Sequence, residues 1–350
     1  MGLKGMTTWT GLDDIISLLS RRFEVDKEMI VPFMDHVDVI SALLGHVVND
    51  SDKLVAGGHV CPDVAIAADR AGLRVEEVLG RSPFVNHAKD VMEVIDSSHT
   101  TVYLANPNQV TGSSFSHKDV ERLASAVGDG TLILDEKYFD FHGITGLAML
   151  RKYSNIVILR SLTAAFGAGS DGSGFLIGNA GFAHGFREVF DWTRMSHTLH
   201  KIVKTALINE TARIRRVAML QDELLRIATR LTELGVQNHI TAADFILLRV
   251  ADTAVVQDKL SRYGVSADNL NEYRGLKNYL RYRMQSPLSN DRLLAAFEHM
   301  PTDHFHLDNI DKRTVMFNRT NRDESIDPER ANSRMTDRKI LTDVLEPTTK

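Results

Sequence analysis
A carboxylate, an amine and a phenol stand almost side by side in Asp135-Glu136-Lys137-Tyr138, directly after the apolar run 131–134. A short run of that kind reads as a buried strand, so these side chains leave a strand end together. An acid in that place can simply cap a turn. With Lys137, and with His142 a little further on, it can also serve proton transfer, the lysine and histidine being the candidate bases. The plainer role for Lys137 is a charge on a helix surface. A second stretch, 155–179, has the opposite character. Residues 156–159 are apolar and β-branched, 161–174 are small, polar and glycine-rich, and 175–177 begin another strand. A glycine-rich loop between strands suits close passage of the backbone past a ligand. Ser161 and Thr163 bring hydroxyls to that loop, able to touch an anion.

The elements that must position these groups alternate between strand and helix. Thr10-Gly11-Leu12-Asp13 reads as an N-cap with an acid in the first turn, and Leu12, Ile15, Ile16, Leu19 and Phe23 follow on one helical face. Residues 37–48 read as a second helix and 53–56 as a strand, followed by Gly57-Gly58-His59-Val60-Cys61-Pro62. Residues 101–104 are a strand that runs into Asn106-Pro107-Asn108-Gln109-Val110-Thr111-Gly112. Ser116 and Asp119 are spaced as a capping box for a helix over 120–127. Between 194 and 234 an apolar stripe, Leu199, Ile202, Val203, Ile214, Val217, Leu220, Leu224, Ile227 and Leu231, predicts one long helix stopped by Gly235. The alternation predicts an α/β chain: a mainly parallel central sheet with helices on both faces, plus a small C-terminal α/β domain. The expected divisions are 1–30 (N-terminal helix region), 31–195 (large domain), 196–234 (linking helix), 235–300 (small domain) and 301–350 (polar tail).

Composition sets outer limits. The chain has 350 residues, a quarter of them charged, and a net charge of −5. That balance favours neither nucleic acid nor an anionic membrane as partner. One cysteine, Cys61, permits no intrachain disulfide and is expected as a small buried residue; His59 is expected as a loop histidine. No charged-then-apolar leader opens the chain and no apolar run reaches membrane-spanning length, so a cytoplasmic protein is expected.

Taken in order, these motifs resemble the fold-type I pyridoxal-phosphate-dependent aminotransferases of class I/II, above all the histidinol-phosphate aminotransferase branch. The cofactor-lysine segment there reads roughly R-T-L-S-K-A-F-G; here Arg160-Ser161-Leu162-Thr163 and Ala165-Phe166-Gly167 match, and Ala164 stands where the lysine belongs. Asp135 and Tyr138 resemble the D-E-A-Y acid and tyrosine, which implies a partner for the pyridinium nitrogen and one near the cofactor hydroxyl. Asn106 to Gly112 resembles N-P-N-N-P-T-G, with Gln109 where an asparagine meets the pyridine hydroxyl. Gly275-Leu276-Lys277-Asn278-Tyr279-Leu280-Arg281 resembles G-L-E-N-Y-L-R, which implies that Arg281 binds a substrate α-carboxylate; its plainer role is a surface ion pair. Asp244 takes an asparagine position in the small domain, and Ala267-Asp268 replaces a V-R pair whose arginine meets the far end of the substrate.

Against the same pattern, several cofactor contacts are changed. The phosphate turn becomes Pro32-Phe33-Met34-Asp35-His36, the ring-stacking aromatic falls near Cys61, and the phosphate-clamping arginine falls on Gly172, beside Asp171. The N-terminal arm that spans a dimer is expected to be missing. Dispersed changes of this kind imply a natural chain that has left ordinary transamination. Two readings follow. One is a non-catalytic ligand-binding or partner subunit, homodimeric or paired with a related subunit, taking a small amino-acid-like ligand. The other is an enzyme of amino-acid or natural-product metabolism that uses pyridoxal or pyridoxamine phosphate non-covalently, or other chemistry in the inherited cleft, with Lys137 as the outside candidate base. The first reading expects no covalent cofactor and weak binding at most, with Asp135, Tyr138, Gln109, Ser161 and Thr163 as the remaining contacts. No metal is expected.

Overall fold
Two sheets organise the chain in the computed structural model, which describes residues 11–49, 53–96, 99–167, 172–193 and 197–306. The first is built from α1 (Gly11–Phe23), β1 (Ile30–Phe33), α2 (His36–Val47), β2 (Lys53–Gly57), α3 (Pro62–Arg70), β3 (Val75–Val78), α4 (Ala88–Met92), β4 (Thr100–Ala105), α5 (His117–Val127), β5 (Thr131–Asp135), α6 (Phe139–His142), β6 (Ile156–Ser161), β7 (Gly174–Ile177) and α7 (Ala180–Val189). Its seven strands lie in the order β1-β7-β6-β5-β4-β2-β3. β3, β2, β4, β5 and β6 run parallel, and β7 is antiparallel to both of its neighbours.

The strand period of two sorts these side chains into two cores. Tyr103, Ile133, Val157 and Leu159 face one way, onto α2, α3 and a later helix; Val102, Leu104, Leu132, Ile156 and Ile158 face the other, onto α1 and α5. Burial on both faces is why β4, β5 and β6 read as continuous apolar runs. The helical face Leu12, Ile15, Ile16 and Leu19 is fully buried, as its spacing predicts. Residues 32–36 are not the single turn that the sequence suggests. Pro32 and Phe33 continue β1, and helix α2 starts at His36. β1 is an edge strand bonded only to β7, which is where a proline without an N–H is tolerated.

The stripe over 194–234 forms two helices, not one: α8 (His197–Ile208) and α9 (Glu210–Glu233). Asn209 breaks the helix and caps the second piece, its Oδ1 accepting the Ala212 N–H at 3.0 Å. The apolar periodicity runs straight across the break, so hydrophobic spacing alone misses it. Arg194 lies outside the described residues, as do Thr10, Asp171 and the polar tail from 307 onward. The small sheet follows: β8 (Gln237–Ile240), β9 (Phe245–Arg249), α10 (Thr253–Arg262), β10 (Asp268–Asn269), β11 (Tyr279–Arg283) and α11 (Pro287–Glu298), with strand order β10-β11-β9-β8, all antiparallel. No helix among the described residues is long and apolar enough to cross a membrane.

The two sheets are fitted closely to each other. Phe84, from the loop before α4, stacks on His239 with centroids 4.5 Å apart and meets Tyr279 edge-on at 5.5 Å. Gly112 has φ +70°, and a Cβ there would lie 2.3 Å from the Thr241 Cβ of the small sheet. Both the backbone and the space therefore demand glycine. Gly112→Ala is expected to destabilise the protein by at least about 2 kcal/mol, from left-handed strain and overpacking together. Urea unfolding measures this; an unchanged midpoint would contradict the tight fit of the two sheets.

Candidate ligand cleft at the carboxyl ends of the parallel strands
Parallel strands deliver their following loops to one edge of a sheet. Here β2 ends at Gly58-His59-Val60-Cys61, β4 at the Asn106–Pro107 turn, β5 at Asp135 and β6 at Ser161. The turn after β4 is stiffened by its own side chains. Asn106 Oδ1 accepts the Phe115 N–H at 2.9 Å, and Asn108 Oδ1 accepts those of Val110 and Thr111 at 2.9 and 3.1 Å. Asn108 Nδ2 donates to the His59 carbonyl at 2.8 Å, tying the β2 loop to it.

Asp135 is the centre of this edge. It is 1% exposed, and its carboxylate is surrounded by donors from the chain. The Tyr103 hydroxyl donates to Oδ2 at 2.6 Å, Gln109 Nε2 donates to the same oxygen, and the Lys137 backbone N–H reaches Oδ1 at 3.1 Å. His36 Nε2 stands 3.4 Å from Oδ2. The other ring nitrogen of His36 meets Asp63 Oδ2 at 3.1 Å. Burial works against charge on His36, but Asp135 and Asp63 outweigh it and raise its pKa to about 9. His36 is therefore an imidazolium at neutral pH, clamped between two carboxylates. Hydrogen bonding to His36 in turn holds the Asp63 carboxyl well below its ordinary range. Burial pushes the Asp135 pKa upward, and His36 and Tyr103 more than reverse it.

Lys137 is not a surface charge. Its side chain is 13% exposed, with Nζ 3.5 Å from Asp63 Oδ2 and 3.4 Å from Gln109 Oε1. Glu136 turns the other way and forms a buried pair with Arg160, Oε2 to Nε at 2.7 Å, beneath the Phe139 ring. Tyr138 is fully buried against Phe141 and Phe245, and among the described residues its hydroxyl has no hydrogen-bond partner. It is Tyr103, not Tyr138, that touches Asp135. Ser161 and Thr163 hydroxyls bond each other at 2.7 Å. Ala164 presents a half-buried methyl, and its carbonyl accepts from Arg216 Nε at 2.7 Å. Arg281 is a half-buried arginine paired with an exposed carboxylate: Nε and Nη2 donate to Asp268 Oδ2 at 3.0 and 2.9 Å, and Nη1 donates to the Gln109 carbonyl.

The remaining candidates are quieter. Cys61 is buried, and burial pushes its thiol up to about 12, so it is not a nucleophile. His59 is buried in its loop, and burial lowers its pKa. His142 is buried at the end of α6. Among the described residues no cluster of His, Cys, Asp and Glu is set to hold a metal ion. At the start of α2, Asp35 Oδ1 accepts the Asp38 N–H at 2.8 Å. Gly172 packs on the same helix start, where a Cβ would lie 3.1 Å from the His36 nitrogen.

Sequence reasoning missed three members of this cluster, His36, Asp63 and Tyr103. Tyr103 did leave a signal: a tyrosine inside a buried strand needs a partner for its hydroxyl. His36 and Asp63 left none, because the fold alone brings two helix starts to the end of β5. Chemically, the cluster is a saturated charge network. With both ring nitrogens taken by carboxylates, His36 has no free lone pair and cannot act as a base.

Comparison with known proteins places this geometry. A model of the family described as aminotransferase class I and II matches residues 2–297. The histidinol-phosphate aminotransferase of Thermoanaerobacter pseudethanolicus is 25% identical over 204 residues, 57% of this chain and 56% of that protein. The one from a Hydrogenobaculum species is 22% identical over 282 residues, 80% of each chain. With the first of these the chain thus aligns over little more than half of the relative's length. Among solved structures, the histidinol-phosphate aminotransferase of Clostridium acetobutylicum superposes with a TM-score of 0.75 at 16% identity, over 84% of this chain and 90% of that one. The Sinorhizobium meliloti enzyme, solved in complex with pyridoxal-5'-phosphate, gives 0.71 at 18% identity, over 82% and 80%. Likeness at these identities speaks for the fold alone, and the fold is that of the fold-type I aminotransferases. With the family model covering most of its length, the chain belongs to the class I and II aminotransferase family.

Proposed function
We propose that this chain is a non-catalytic member of its family, a ligand-binding or partner subunit that does not carry out ordinary transamination. The observation that carries this reading is the Asp135 carboxylate, sealed from solvent and paired with the chain's own His36 imidazolium. The residues present do not fit a covalently held pyridoxal phosphate. Ala164 offers a methyl group at the matching position, and transamination needs an amine there to hold the cofactor and move the α-proton. Asp35 already takes an N–H at the start of α2 and puts an anion where a phosphate would go. Gly172 supplies no cation at the matching position, and with φ +75° and a Cβ site 3.1 Å from the His36 backbone nitrogen a side chain there is strained. A partner of related sequence is the natural complement for such a subunit.

One observation favours a second reading, an enzyme that holds pyridoxal or pyridoxamine phosphate non-covalently. Lys137 brings an amine into the cleft within 3.5 Å of Asp63 and Gln109. The two readings part in one experiment. Purified protein incubated with pyridoxal phosphate and reduced with borohydride is expected to show no cleft adduct, and no amino-group exchange with common amino acids. Ala164→Lys is expected to restore little activity, because Asp35 still occupies the start of α2 and Gly172 still supplies no cation. Tight cofactor binding with turnover, abolished by Lys137→Ala, would establish the second reading instead.

The His36 pair also predicts a pH dependence. The folded-state pKa of about 9 lies above the ordinary histidine value of roughly 6.5. Its stabilisation is therefore complete below about 6.5 and is lost as pH rises through about 9, to a total of about 3 kcal/mol shared with Asp135 and Asp63. Thermal unfolding followed from pH 6 to pH 10 is expected to show wild type losing stability relative to His36→Gln at the alkaline end. Parallel curves for the two proteins would contradict it.

A further inference from the structure
A surface groove lies across the break between α8 and α9. Its lining runs along α8 from Lys201 to Asn209 and on to Ala212 of α9, with Phe166 and Gly167, from the loop after β6, as the other wall. Its volume is about 420 Å³, within the range of roughly 300 to 1,000 Å³ of small-molecule sites. None of the groups around Asp135 lines it. Residues four apart on a helix share a face. Two stripes of α8 therefore enter the groove side by side, Ile202 with Ala206, and Lys201 with Thr205 and Asn209. At 1.5 Å per residue the polar stripe is about 12 Å long.

The cations around the groove fall into two groups. Arg22 and Arg213 are neutralised: both meet Glu210, and Arg213 also meets Asp140. Their guanidinium carbons stand 5.0 and 5.8 Å from the centre of the Phe166 ring and fix that wall. Lys201 and Arg216 are different. Both are exposed, and among the described residues neither has an ion-pair partner. Arg216 is anchored by its Nε, which donates to the Ala164 carbonyl at 2.7 Å, and its guanidinium lies 3.8 Å from where a Cβ on Gly167 would stand. Asn209 spends its Oδ1 on the Ala212 N–H, which leaves its Nδ2 to donate. Among the described residues no carboxylate lines the groove. It offers an ammonium, a hydroxyl and an amide N–H, with a guanidinium at the rim. Beside these donors Ile202 is 41% exposed. An uncovered aliphatic wall next to unpaired cations complements an anion with an apolar body.

We propose that this groove is a second binding site, and that its ligand is an amphipathic monoanion, a single carboxylate on an aromatic or aliphatic body. The Lys201 ammonium pairs with the carboxylate, and the Thr205 hydroxyl, one turn on, is a second donor. Phe166, Ile202 and Ala206 cover the apolar body and take it out of water. Arg216 adds attraction from the rim and draws the anion in. The site goes beyond the function proposed above and uses none of the side chains on which that reading rests.

The test titrates the full chain calorimetrically with 4-phenylbutyrate, 4-phenyl-1-butanol and 4-phenylbutylamine, which share one apolar body and differ in charge. The acid is expected to bind most tightly, with the alcohol weaker and the amine weakest. Lys201→Gln, at an exposed position, is expected to lower the affinity for the acid by about tenfold and leave that for the alcohol unchanged. Ile202→Gln, also exposed, is expected to weaken acid and alcohol alike. Lys118→Gln removes the same charge from α5, outside the groove, and is expected to change neither. Equal binding of acid and alcohol, an affinity untouched by Lys201→Gln, an equal loss in Lys118→Gln, or no binding at all would overturn the proposal. So would an affinity that falls as the chain is concentrated and sediments as a dimer, since a second copy would then be the occupant. Because no pyridoxal phosphate is present, these outcomes are independent of the borohydride experiment.

Discussion
A carboxylate buried at the end of a central strand must be given partners or lose its charge. Asp135 ends β5, in the middle of the large sheet, and no solvent reaches it. Much of the cleft follows from how it is satisfied. Tyr103 comes from the neighbouring strand, Gln109 from the turn after that strand, Lys137 from the backbone just beyond, and His36 from the first turn of α2. Asp63, at the start of α3, then holds the far side of the imidazole and the Lys137 amine. The result is a layered alternation of charge: Asp135, His36, Asp63, Lys137. Removing a single member leaves a buried charge uncompensated, which is far costlier than replacing a whole network by apolar groups.

The same network joins the two sheets. Gln109 donates to Asp135 through its side chain, and its carbonyl accepts from Arg281 of the small sheet, which Asp268 holds from behind. Gly112, three residues on, allows the turn to press against Thr241. One turn thus reads out the large-domain carboxylate and the small-domain arginine together. The groups that the family resemblance marks as cofactor and substrate contacts, Asp135 and Arg281, are both turned inward on the chain's own residues. Among the described residues the Tyr138 hydroxyl and Asp244 Oδ1, one step to the side, have no hydrogen-bond partner.

Much of the fold was legible in the sequence because the central strands are apolar on both faces and the helices are amphipathic. Elements resting on weaker signals were not. β3 is a half-exposed Val-Glu-Glu-Val edge strand, and β1 contains a proline that argues against a strand anywhere but an edge. The break at Asn209 was hidden because the apolar stripe keeps its phase across it. At the site, single residues could be placed by motif: Asp135, Tyr138 and Arg281 were all singled out. Their partners could not be. His36 and Asp63 are distant in sequence from Asp135, and nothing local says that their helices begin at the same sheet edge. Motif position also left one contact unseen: Tyr103, which no motif singles out, is the tyrosine on the carboxylate.

The claim at the centre is that Asp135 is neutralised by an imidazolium belonging to the chain. Nitrogen NMR of histidine-labelled protein reads this directly, with the His36 signals assigned by their loss in His36→Gln. Both ring nitrogens of His36 are expected to be protonated at pH 7.5, to titrate near pH 9, and to stay unchanged when pyridoxal phosphate is added. A neutral ring with one bare nitrogen at pH 7.5, or an imidazolium displaced by the cofactor, would contradict it.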